Sequence, residues 1–141
     1  MDASVKKAIN TLIEDSTSVI VCSLDEDGFP NAKKMYTVEN EGLKTFWFST
    51  NISAIRTQQW LKNSKSSIYF YNDADVRGLM LIGNIQVYTD NETKQLFWKD
   101  GDEEYYPLGP TDPDYCMLRF TADKGNHYFY GSKEIFAIDS E

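Results

Sequence analysis

Ser49, Thr50, Asn51, Ser53 and Arg56 crowd into the stretch 49–56, and their chemistry is that of an anion holder. They follow an apolar aromatic run, Phe46-Trp47-Phe48, and lead into a segment with helical spacing. The first N–H groups of a helix lack internal partners, and the helix dipole favours negative charge there. Ser49, Thr50 and Ser53 add hydroxyl donors, and Arg56 adds a planar fork suited to phosphate. The same residues also fit an ordinary helix cap beside an exposed arginine.

Other chemistry is sparse. The single histidine, His127, sits in a late strand-like run, GNHYFY. It cannot build a His-based zinc site alone, and no nucleophile elbow accompanies it. There is no P-loop and no GxGxxG. Cys22 and Cys116 fall within strand-like runs and read as two buried, reduced thiols of a cytoplasmic protein. No metal site is expected, and no catalytic residue is assigned.

The 141 residues suit one domain, 1–141, with one core. Twenty-two acids against 14 bases give a net charge of −8. That opposes non-specific binding to nucleic acid or to an anionic membrane. No apolar run approaches the roughly 20 residues of a membrane span. The opening residues, MDASVKKAIN, have no apolar signal region, so no export is expected. Three Trp, nine Tyr and eight Phe exceed what one small core requires. The excess suits subunit contacts or stacking on a planar ligand.

The elements that must position these residues are short. Val5, Ala8, Ile9, Leu12 and Ile13 recur at helical spacing and predict a helix over 3–15. Strands are predicted over 18–24, 31–38 and 43–48, joined by turns at 25–30 and 39–42 as an antiparallel meander. A helix over 52–63 and a strand over 67–71 follow. The strand 78–88 carries Gly83 at its centre, which suggests a bulge or a close backbone approach. Asp90 caps a short helix after it. Strands 115–120 and 127–130 flank a turn at ADKGN, and 135–138 adds another. Six or seven strands with three helices predict a mainly β, α+β fold: an antiparallel split barrel that fills its own interior. Ligand would then bind on an outer face or at a subunit seam.

Four segments in this order resemble the pyridoxamine 5′-phosphate oxidase-like flavin-binding split barrels, and within them the general stress protein branch. They are GFPNAKKMY (28–36), GLKTFWFSTNISAIR (42–56), GLMLIGNIQVYTD (78–90) and FWKDGDEEYYPLGPTDPDYCMLRF (97–120). The resemblance implies a homodimer with FMN at the interface. It implies that Lys33 approaches the FMN phosphate with Ser53 and Arg56, and that Met35 runs beside the ring. Ser49, Thr50 and Asn51 would meet the ring edge or ribityl chain. Trp98 and Tyr106 would flank the flavin from the partner chain. The family commonly has a basic residue where this chain has Ile55, which removes one phosphate charge. The C-terminus, SKEIFAIDSE, lacks the Arg/His cluster that holds pyridoxamine phosphate, so that oxidation is not expected.

Three functions follow as expectations. The first is an FMN-dependent oxidoreductase moving electrons between a reduced nicotinamide cofactor and a small-molecule acceptor. The second is a non-enzymatic FMN-binding stress protein, a flavin store or sensor. The third is a binder of another planar cofactor such as haem, for which His127 would be the sole imidazole ligand.

Overall fold

The computed structural model describes residues 1–138. Helix α1 (Ala3–Asp15) begins where the Asp2 carboxylate accepts from the Ser4 N–H at 2.8 Å, an ordinary N-cap. Its apolar stripe buries Ile9, Leu12 and Ile13. The strands are β1 (Val19–Leu24), β2 (Pro30–Met35), β3 (Glu39–Glu41), β4 (Thr45–Asn51), β5 (Lys65–Asn72), β6 (Arg77–Tyr88), β7 (Tyr115–Phe129) and β8 (Ser132–Ala137). Helices α2 (Ile55–Lys62) and α3 (Asn91–Leu96) lie between them.

All pairings among the described residues are antiparallel, in the order β2-β1-β5-β6-β7-β4-β3, with β8 also on β7. The path does not close, as expected for a split barrel. Eight strands stand among the described residues where six or seven were predicted: Glu39–Glu41 is a short strand and not part of a turn, and the segments 115–120 and 127–130 are one strand. The predicted meander is also corrected. β2 pairs only with β1, while β3 and β4 form a hairpin at the far end of the path.

Period-two alternation decides which residues enter the core. Val19 and Val21, Phe46 and Phe48, Ile68 and Phe70, Leu79 and Leu81, and Leu118 and Phe120 all point inward and are fully or nearly fully buried. A second cluster, Phe97, Tyr106, Tyr115 and Met117, packs on the other face, beneath α3 and the loop that follows it.

The predicted turn at ADKGN does not occur. β7 runs unbroken from Tyr115 to Phe129, with a bulge that leaves Asp123 unpaired. Up to Thr121 its outer edge pairs with β4, and from Lys124 onward with β8. The turn-like residues mark the point where the strand changes neighbour. Gly83 answers that bulge, and a Cβ on it would lie 1.9 Å from the Thr121 carbonyl oxygen. The close approach expected from the sequence is therefore present.

Of the two thiols, Cys116 is buried but Cys22 is only half-buried, on the outer face of β1. No described helix is long and apolar enough to cross a membrane.

Candidate functional site

Strand β4 delivers the anion-holding segment, and its pleat divides that segment between two faces. Thr50 is buried on the core side, while Ser49 and Asn51 are half-buried on the opposite face. Arg56, on the first turn of α2, folds back so that Nη2 donates to Thr50 Oγ1 at 2.7 Å. Its Nε is buried and has no hydrogen-bond partner among the described residues. Buried guanidinium nitrogens are ordinarily satisfied, and the Nε atoms of Arg77 and Arg119 share this lack.

Helix α2 starts at Ile55 rather than 52, and its N-cap is Ala54, which has no side chain to cap with. The first-turn N–H groups are thus left without a side-chain partner, as an incoming anion requires. Ile55 itself is 76% exposed.

Ser53 is differently engaged. Its N–H donates to Asp114 Oδ1 at 2.9 Å and its hydroxyl to Asp114 Oδ2 at 3.1 Å. Asn51 Nδ2 donates to the same carboxylate at 2.9 Å. These donors, the Ser53 N–H foremost, hold the Asp114 carboxyl below the usual range. Asp114 was not singled out in the sequence, because its partners lie 61 and 63 positions away. A depressed carboxyl contributes stability above its unfolded value, near pH 4, and loses it as pH falls through the folded value. Asp114→Asn is therefore expected to be less stable at neutral pH but to lose less between about pH 4 and 2. Denaturant midpoints of both proteins across that range check it, and parallel pH profiles would count against the bond's role.

Tyr106 and Trp98 form an aromatic wall. Tyr106 packs on Tyr115 with ring centroids 4.8 Å apart, and Trp98 meets Tyr115 edge-on at 5.3 Å. Burial pushes the Tyr106 hydroxyl up to about 12, with the neighbouring Ser49 hydroxyl and the Arg56 charge working in the opposite sense. Tyr106 thus stands beside Ser49 of its own chain. Tyr115 is raised further by the same cause, and burial lifts the Cys116 thiol to about 12.

Lys94 completes the wall, and sequence reasoning missed it. It is 4% exposed, donates from Nζ to the Asp112 carbonyl at 2.9 Å and lies over the Tyr115 ring at 5.5 Å. Tyr115 returns a hydrogen bond to the Lys94 carbonyl at 2.8 Å. Within the polar run NETKQ nothing distinguishes this lysine from a solvated one.

Lys33 and Met35 belong to a different strand. Both are on β2, at the opposite end of the strand path from β4. Met35 is buried in the core cluster, opposite Val19. Lys33 is exposed, and its side chain makes no hydrogen bond or ion pair among the described residues. Helix α2 approaches this side of the barrel through a hydrogen bond between Ser23 of β1 and Gln59. The structure therefore gathers Ser49, Thr50, Asn51, Ser53, Arg56, Trp98 and Tyr106 around the end of β4.

Comparison with known proteins identifies the architecture. The family model for pyridoxamine 5′-phosphate oxidase matches residues 5–129. A protein from Clostridium acetobutylicum related to general stress protein 26 of B. subtilis, of the pyridoxinephosphate oxidase family, is 42% identical, with a TM-score of 0.89 over 99% of this chain and 98% of that one. General Stress Protein 26 from Bacillus anthracis is 17% identical, with a TM-score of 0.76 over 95% and 98% of the two chains. A pyridoxamine 5′-phosphate oxidase-related, FMN-binding protein from Nostoc punctiforme is 13% identical, with a TM-score of 0.66 over 96% and 95%. No curated protein matches the chain. By its family match and by the barrel that carries the site, the chain belongs to the pyridoxamine 5′-phosphate oxidase family, and within it is similar to the general stress protein 26 branch.

Proposed function

We propose that the chain is an FMN-binding oxidoreductase that passes electrons between a reduced nicotinamide cofactor and a small acceptor, and that it does not oxidise pyridoxamine phosphate. The observation that carries this reading is the Arg56 guanidinium, partnerless at Nε, beside a helix start that no side chain caps. In this reading Arg56 and Lys33 supply charge to the phosphate, with Ser53 beside them. Thr50 fixes the arginine's orientation. Ser49 and Asn51 meet the ribityl chain and ring, and Trp98 and Tyr106 wall the ring from water. The flavin, when bound, supplies the hydride and electron chemistry itself. The chain's residues bind it, orient it and exclude solvent.

We infer a homodimer with the sites at the subunit seam, acting in the cytoplasm, where Cys22 and Cys116 stay reduced. The outer face around β5 and β6 supports a partner, because Tyr69 and Tyr71 stack there while remaining 41% and 37% exposed. A contiguous aromatic face of this kind suits an interface.

A flavin store or sensor is the second reading, and one observation favours it. Tyr106 and Cys116 are both pushed up to about 12, so neither is poised to exchange a proton near neutral pH. FMN titration of the purified apo-protein, read by flavin fluorescence, tests the site. Saturable quenching at micromolar FMN is expected, and an unchanged signal would remove the flavin assignment. Rapid bleaching of bound flavin by NADH or NADPH then supports the oxidoreductase. Bleaching no faster than that of free FMN supports the store.

A further inference from the structure

The opposite end of β7 holds a separate cleft of about 390 Å³, between the first turns of α1 and the β7–β8 hairpin. That volume falls at the lower end of small-molecule pockets, which run from about 300 to 1,000 Å³. One wall is Val5 and Ala8 of α1, and the other is formed by His127 and Phe129. The two rings lie nearly parallel, 12° apart, with centroids at 6.3 Å. Together the walls make a slot with an apolar side and an aromatic side.

His127 is 5% exposed, and its Nε2 is sealed from solvent with no hydrogen-bond partner among the described residues. A buried imidazole nitrogen without a partner loses its hydration with nothing in return. The charges around it balance. Glu134 stands directly across from His127 on β8, and Lys133 lies beside it at the rim. Arg77, opposite Phe129 on β6, lies over that ring at 5.8 Å and is held by Asp75 at 3.8 Å. Burial first, and then the Arg77 charge, lower the His127 pKa, so its imidazole is neutral. Neither an anion nor a cation finds an unopposed counter-charge there.

We propose that this cleft is a second ligand site, taking a small, uncharged, planar molecule whose ring nitrogen or amide hydrogen-bonds to His127 Nε2. Its flat body lies between the Val5–Ala8 wall and Phe129, and Ser4 and Ser132 offer hydroxyls at the mouth. The site does not rest on the flavin reading.

His127 is the only histidine, so its side-chain nitrogens give an unambiguous ¹⁵N NMR reporter in the full chain. Nicotinamide is titrated as the uncharged planar probe, with benzoate and benzylamine as anionic and cationic counterparts. The expected result is a saturable shift of Nε2 with nicotinamide, and weaker binding of both charged probes. Ala8→Phe fills the slot and is expected to weaken nicotinamide at least tenfold. His127→Phe keeps a ring without its nitrogens and should weaken it similarly, read from the Phe129 and Ser132 amides. Absence of a saturable shift up to the solubility limit would overturn the site. Tighter binding of either charged probe would overturn the ligand class.

Discussion

Gly83→Ala is expected to cost at least about 3 kcal/mol of folding stability, a large share of the roughly 5–15 kcal/mol that holds a domain together. A Cβ at this position would lie 1.9 Å from the Thr121 carbonyl oxygen, 2.8 Å from its carbon and 2.9 Å from the Ala122 Cα. All three are backbone atoms of β7, which is tied on one edge to β6 and on the other to β4. No rotamer change relieves such a clash. β7 must move away from β6, and the bulge at Asp123 must open. Gly28→Ala is the matched control, because nothing lies within 4 Å of its added Cβ and only its φ of +83° is penalised. That costs about 1–2 kcal/mol. Urea denaturation of the two variants beside the parent measures both. A Gly83→Ala midpoint at or above that of Gly28→Ala would show that the sheet absorbs the methyl group, contrary to this account.

Arg56→Gln is expected to weaken FMN about tenfold to a hundredfold, from the loss of one charge-assisted hydrogen bond worth about 1.5–3 kcal/mol. Arg56→Lys should recover only part of this, since an ammonium cannot hold Thr50 and a phosphate with the same fork. The reverse change is Ile55→Lys. Ile55 is 76% exposed, so replacing it removes little packing. The new ammonium would add a phosphate contact and tighten FMN by about tenfold, less the about 0.3–1 kcal/mol for a cation at a helix N-terminus. Isothermal titration of the three variants with FMN checks the set. Equal affinity in Arg56→Gln and the parent would move the phosphate elsewhere, with β2 and Lys33 the next place to look.

Much of the barrel was legible from alternation and turn residues. Val19–Leu24 and Arg77–Tyr88 follow the predicted strands closely because their patterns of burial and turns agree with the local preferences. The failures have a common cause. Glu39–Glu41 carries no apolar residue and is a strand only because β4 offers it an edge. Gly125 and Asn126 look like a turn, yet two neighbouring strands hold that backbone extended. In both places tertiary pairing overrides local composition.

The site was legible in the same uneven way. Arg56 and Ser53 stood out by type and spacing, and both lie where a strand becomes a helix. Their division of labour was hidden. Asp114 engages Ser53 from 61 residues away, and Lys94 is buried by an aromatic ring and a carbonyl that its own segment does not contain. Pairing across such distances leaves no trace in local spacing.

The pairing of β4 with β7 also has a consequence on the ribosome. Thr45 pairs with Thr121, 76 residues downstream by subtraction of their numbers. At about 5–20 residues per second, β4 leaves the exit tunnel roughly 4–15 s before the strand it needs. For that interval only the three-residue β3 borders it, and Phe46 and Phe48 lack the lid that β7 and the core later provide. Nascent chains of this protein should therefore recruit a holding chaperone in a window that opens with β4 and shuts when the middle of β7 emerges.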